Sequence, residues 1–111
     1  MRIEHVALWS ADIYLLRDFY IRWFNAQVSP LYENATSGFA SFFLSIGSGP
    51  RLELMQRPDV GALPLEFTLG YAHIAIELGS EDAVDHLAAT MAAQGVTVLS
   101  GPRRTGDGYY E

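Results

Sequence analysis

Ile3-Glu4-His5-Val6-Ala7-Leu8 and Tyr71-Ala72-His73-Ile74-Ala75-Ile76 read alike: each sets one histidine inside an alternating apolar run, and the histidines stand 73 − 5 = 68 positions apart. The offset persists downstream, where Ala26-Gln27-Val28 falls on Gln94-Gly95-Val96 after a helical stretch in each copy. A chain built twice from one unit places equivalent side chains at equivalent points about a pseudo-two-fold axis. Two histidines distant in sequence can thereby converge on one spot, and such convergence points to a metal.

Working outward from the first histidine, residues 3–9 alternate as a strand, and Ser10 and Asp12 then offer helix-capping oxygens. A helix is expected over about 12–24, because Ile13, Leu16, Phe19, Tyr20, Trp23 and Phe24 follow the steps of three and four that lay one stripe against a sheet. Strands are expected at 27–33, 39–46 and 51–56, joined by a turn at 34–38 and the tight Gly47-Ser48-Gly49-Pro50 connection. Residues 58–70, with Pro58, Gly61, Pro64 and Gly70, lack either period and read as a linker. The second copy repeats the plan: a strand at 71–78, Ser80 with Glu81 and Asp82 opening a helix over about 81–94, and Gly95 ending it in a left-handed cap. Val84, Leu87, Ala88 and Met91 supply that helix's apolar stripe. A strand at 96–100 and a Thr105-Gly106-Asp107-Gly108 hairpin leading into Tyr109-Tyr110-Glu111 follow.

In an alternating strand, residues two apart share a face. His5 therefore groups with Ile3, Ala7 and Trp9, Glu53 with Arg51 and Met55, and His73 with Tyr71, Ala75 and Glu77. The opposite faces, Val6 and Leu8, Leu52 and Leu54, Ile74 and Ile76, are aliphatic and suit packing under helices. His5, Glu53 and His73 thus face away from the helix layer. Two imidazoles and a carboxylate form a set that binds zinc, nickel, iron, cobalt or manganese, each able to polarise a substrate oxygen. Each residue also has a plainer reading, the histidines as satisfied core or surface groups and Glu53 as the solvent side of an edge strand. The matched positions of the two histidines weigh against it. His86 falls mid-helix and reads as a solvated surface residue.

Composition narrows the function classes. At 111 residues one domain with a single core is expected, and half the residues being hydrophobic excludes disorder. No apolar run approaches the roughly 20 residues of a membrane span, and no secretory leader is visible, so a cytoplasmic, membrane-free protein is expected. With no cysteine, any metal must be held by nitrogen and oxygen. A net charge of −6, with all seven basic residues arginine and no long basic stripe, opposes nucleic acid as a partner.

The segments IEHVALWSADIYLLRDFYIRWF, SGFASFFLSIGSGPRLELM, GYAHIAIELGS and GPRRTGDGYYE resemble the glyoxalase/bleomycin-resistance/extradiol-dioxygenase superfamily, the vicinal oxygen chelate proteins. That resemblance implies an α+β fold of two βαβββ modules, a cupped mixed sheet with helices outside, commonly paired as a homodimer around a divalent metal ion. The chain would then be one domain over 1–111: module one at about 1–57, the linker at about 58–70, and module two at about 71–111. Module two's last strand, at 51 + 68 = 119 to 56 + 68 = 124, falls past residue 111, so a shortened form or a strand from another subunit is expected. Residue by residue, the family's ligands match His5, Glu53 and His73, while the fourth, a glutamate, would fall near 53 + 68 = 121.

Dioxygenases and fosfomycin-resistance enzymes of the superfamily use two histidines and that final glutamate, whereas glyoxalase I also uses a carboxylate at the Glu53 position. The resemblance therefore implies a lactoylglutathione lyase type of metal-dependent lyase or isomerase acting on a small-molecule substrate, an α-oxo thiol adduct, with Glu53 sharing in proton transfer. A sequestering module of the bleomycin-resistance type and a ring-cleaving dioxygenase are the alternatives. Arg51, Arg57, Arg103 and Arg104 could meet an anionic substrate or be solvated charges; Phe43, Tyr109 and Tyr110 could line a pocket or pack the sheet.

Overall fold

The first strand, β1 (His5–Trp9), runs into helix α1 (Ile13–Phe24) through a tightly hydrogen-bonded start. The Asp12 carboxylate accepts from the backbone N–H groups of Tyr14 and Leu15, while Gln56 Oε1 accepts from that of Ile13. Three of the helix's otherwise orphaned donors are thereby satisfied. Ser10 assists indirectly, its hydroxyl oxygen accepting from the N–H of Asp12. At the other end Asn25 takes the left-handed conformation (φ 51°) and closes α1 on Ile21 and Tyr20.

This computed structural model describes residues 1–61 and 70–111, and the chain divides into two units, Met1–Glu66 and Phe67–Glu111. Among the described residues the architecture is α+β, with five strands in one mixed sheet and two helices. The proposed linker falls mostly on residues outside the described ones.

In the first unit the sheet order is β1, β5 (Arg51–Gln56), β4 (Phe39–Ser45), β2 (Gln27–Val28), with β3 (Tyr32–Asn34) also pairing β4. β1 and β5 are parallel and the other pairs antiparallel. Leu8 pairs with Leu54 and Leu54 with Phe42, so one face carries a continuous apolar row beneath α1. Ile13, Leu44 and Leu54 are fully buried there, joined by Ala26, Phe42 and Leu52. Leu16 and Tyr20 of the predicted helical stripe pack on the same core, and burial pushes the Tyr20 phenol above its ordinary pKa.

The strand expected at 27–33 is instead two strands. Pro30 has no N–H for the ladder, and Ser29 bridges the break: its N–H donates to Phe43 O at 2.9 Å, while its hydroxyl accepts from Phe43 N–H at 2.9 Å, where a backbone carbonyl would otherwise serve. At the 34–38 turn, Asn34 Oδ1 accepts from Thr36 and Ser37 N–H, and Gly38 sits at φ +68° against Pro58.

The second unit departs further from expectation. Helix α2 (Glu81–Ala93) forms as read, with Ser80 accepting from Ala83 N–H and Gly95 at φ +83° beyond the C-terminus. The hairpin forms too, with Arg103 and Glu111 exchanging both backbone hydrogen bonds and Arg104 bridging Tyr110. Residues 71–78 and 96–100, however, are in no strand. By the repeat, 71–78 corresponds to β1, but among the described residues no strand lies in register beside it, so its N–H and C=O groups join no ladder there.

Candidate metal centre

Three strands bring the site's side chains onto the sheet face opposite α1. In register, His5 pairs with Arg51, Ala7 with Glu53, and Glu53 with Phe43. Glu53 is thus the diagonal neighbour of His5, a separation that long side chains can span. His5 Nε2 stands 3.8 Å from Glu53 Oε2. That is too long for a hydrogen bond and fits two ligands leaning toward a common point.

The surroundings of the two differ. The Glu53 side chain is only 14% exposed, and among the described residues no donor hydrogen-bonds its carboxylate. No side-chain oxygen among the described residues is both buried and unpartnered, so the Glu53 carboxylate keeps contact with solvent and stands open to a cation held beside His5. The donor set therefore fits a divalent metal ion bound through one imidazole nitrogen and one carboxylate oxygen.

His5 is held on its other side. Its Nδ1 lies 2.5 Å from Glu4 Oε2, and the second carboxylate oxygen of Glu4 accepts from Arg51 Nε at 2.7 Å and stands 2.5 Å from a terminal Arg51 nitrogen in the same ion pair. The His5 ring and the Arg51 guanidinium together hold the Glu4 carboxyl below its ordinary pKa, the hydrogen bond with His5 contributing most. Phe43 completes the surround, edge-on to the His5 ring at 5.3 Å between centroids and 4.1 Å under the Arg51 guanidinium. Arg51, read as a possible anion contact, is thus already committed to Glu4, and Phe43 packs rather than standing free. Glu4 went unnoticed in the sequence because strict alternation assigns it to the face away from His5. It precedes β1, where its side chain can fold back.

His73, the third predicted ligand, belongs to the second unit, exposed in the unpaired 71–78 segment. Among the described residues no group of three or more histidines and carboxylates is placed to hold a metal ion together, the Glu4 carboxylate being engaged by the other nitrogen of His5. His86 is exposed on α2, as expected. Tyr110 hydrogen-bonds Asp85 at 2.7 Å, which raises its phenol pKa, and Arg104 pairs with Glu81. Both residues thereby tie the hairpin to α2 within their own unit. A surface hollow of about 480 Å³ at the start of α1, lined by Ser10, Asp12, Leu15 and Phe19 among others, contains none of the candidate ligands.

Several solved structures are similar to this chain. A trypanothione-dependent glyoxalase I from Leishmania major is 26% identical with a TM-score of 0.74, the match covering 99% of this chain and 83% of that one. A variant of the fosfomycin resistance protein FosX from Listeria monocytogenes, complexed with Mn(II) and 1S,2S-dihydroxypropylphosphonic acid, is 28% identical with a TM-score of 0.69, covering 94% and 77%. A possible glyoxalase from Bacillus cereus is 25% identical with a TM-score of 0.61, covering 93% and 81%. No curated protein matches the chain. The family whose sequence pattern matches residues 2–111 is described as Glyoxalase/Bleomycin resistance protein/Dioxygenase superfamily. The chain, with its parallel β1–β5 pair presenting an imidazole and a carboxylate on one face, belongs to that superfamily.

Proposed function

We propose that this protein is a metal-dependent lyase or isomerase of the glyoxalase I type, acting on a small α-oxo thiol adduct, with His5, Glu53 and His73 holding a divalent metal ion. The single observation behind this reading is the approach of His5 Nε2 to the donor-free, mostly buried carboxylate of Glu53 at 3.8 Å. The ion, when bound, would act as a Lewis acid that stabilises negative charge developing on a substrate oxygen. In this reading Glu53 would also share in moving a proton between adjacent substrate carbons. His73 enters by its match to His5 in the repeat. Support for the ion's chemistry comes from FosX, whose structure contains Mn(II).

The same reading makes the protein a cytoplasmic homodimer. β1 lies at the edge of the first unit's sheet, and an edge strand is a template for association. No helix among the described residues is long and apolar enough to cross a membrane.

The test is turnover of the methylglyoxal–glutathione hemithioacetal by protein loaded in turn with Ni(II), Zn(II), Co(II) and Mn(II), alongside His5→Ala and Glu53→Gln. Thioester formation that depends on metal and is lost in both variants supports the proposal. Tight binding of a small ligand in the presence of chelator, without turnover, would support a sequestering module instead. Catechol cleavage with ferrous iron that survives Glu53→Gln would support the dioxygenase reading.

A further inference from the structure

We propose that Glu4, braced by Arg51, is a positioning residue that fixes His5 with its proton on Nδ1 and its free electron pair on Nε2, aimed toward Glu53. The inference rests on the reading of His5 and Glu53 as metal ligands and extends it to two residues outside the ligand set.

The argument begins with donor and acceptor capacity. A neutral imidazole has one N–H and one bare nitrogen, and an ionised carboxylate only accepts. The 2.5 Å contact between Nδ1 and Glu4 Oε2 therefore places the N–H at Nδ1 and leaves Nε2 as the electron-pair donor. A metal-binding histidine needs this division of labour, with its second nitrogen fixed by a carboxylate or carbonyl.

Glu4 is itself fixed, because its two oxygens are divided between partners. Oε2 meets His5, while Oε1 accepts from Arg51 Nε and forms an ion pair with a terminal nitrogen of the same guanidinium. The Arg51 backbone N–H also donates to Glu4 O at 2.9 Å, so the two residues are registered across the strand pair before their side chains meet. Arg51 in turn lies on the Phe43 ring, and Phe43 meets the His5 ring edge-on. Glu4, His5, Phe43 and Arg51 thus form a closed circuit of contacts, and rotation of the imidazole would break two of them. The opposite tautomer would point an N–H at Glu53 and leave no donor pair for a cation.

The experiment has a metal-free arm and a metal arm. In metal-free protein labelled with ¹⁵N, two-bond histidine correlations identify which ring nitrogen of His5 is protonated, with His5→Ala assigning the signal among the three histidines. The expected result is Nδ1–H in the wild type and in Glu4→Gln, which keeps an accepting oxygen, with loss of that preference in Glu4→Ala. In the metal arm, Mn(II) and Zn(II) affinity should fall about 10–100-fold in Glu4→Ala and stay within a few-fold of wild type in Glu4→Gln. Wild-type His5 protonated on Nε2, or Glu4→Ala with unchanged tautomer and affinity, overturns the inference. Unchanged affinity in His5→Ala would instead overturn the metal reading, and the tautomer would still decide the role of Glu4. Should Glu4→Ala fail to fold, the wild-type tautomer decides alone.

Discussion

Glu53 and Leu54 are neighbours on β5 with opposite duties, and substituting each in turn separates the core face from the site face. Leu54 is fully buried, paired with Leu8 on one side and Phe42 on the other. Leu54→Ala removes three carbons, worth about 2.4 kcal/mol at about 0.8 kcal/mol per buried methylene. The residual cavity in a central strand adds to this, giving about 3–4 kcal/mol in total. Glu53→Gln keeps the shape and removes a charge that no donor satisfies, so it should change stability by less than about 1 kcal/mol in either direction. Urea unfolding followed by tryptophan fluorescence reads this directly, because Trp9 and Trp23 are the chain's two tryptophans and both lie in the first unit. The midpoint should shift strongly for Leu54→Ala and little for Glu53→Gln, with similar slopes. If Glu53→Gln proves as destabilising as Leu54→Ala, or Leu54→Ala costs under about 1 kcal/mol, the assignment of faces is wrong.

Other outcomes follow from the same contacts. Asp12→Ala removes the acceptor for two N–H groups at the start of α1 and should cost about 1 kcal/mol, with Asp12→Asn recovering most of it, in the same unfolding assay. Gly38→Ala should cost more than about 1 kcal/mol, because φ is +68° and the new Cβ would stand 3.0 Å from two Pro58 carbons. Tyr110 has its pKa raised by donating to Asp85, so this contact stabilises below the ordinary tyrosine pKa and is lost as pH rises through the elevated one. Alkaline absorbance titration should therefore lose a late-ionising component in Tyr110→Phe, and an unchanged curve would dismiss the Asp85 contact.

Much of this was legible because local signals and tertiary packing agree in the first unit. The alternation around His5 and Glu53 is matched by the strand register, which sets both on the sheet face opposite Leu8 and Leu54, since parity in a strand fixes which side a residue takes. Asp12 and Gly95 marked helix ends through capping chemistry that is local by nature. Three things were hidden. The break at Ser29-Pro30 depends on a hydroxyl replacing a carbonyl as the acceptor for Phe43, which no periodicity reveals. The brace from Glu4 depends on a residue just outside β1, where alternation no longer governs the side chain. The 71–78 segment has a strand's pattern, but pairing requires a partner, and the pattern cannot supply one.

Paramagnetic broadening of the histidine ring signals by substoichiometric Mn(II) tests the central claim most directly, because it reports which imidazoles lie beside the ion. The account predicts that His5 and His73 broaden together while His86 stays sharp, and that Glu53→Gln requires more Mn(II) for the same effect. A sharp His5 signal at saturating Mn(II), or equal broadening of His86, would contradict it.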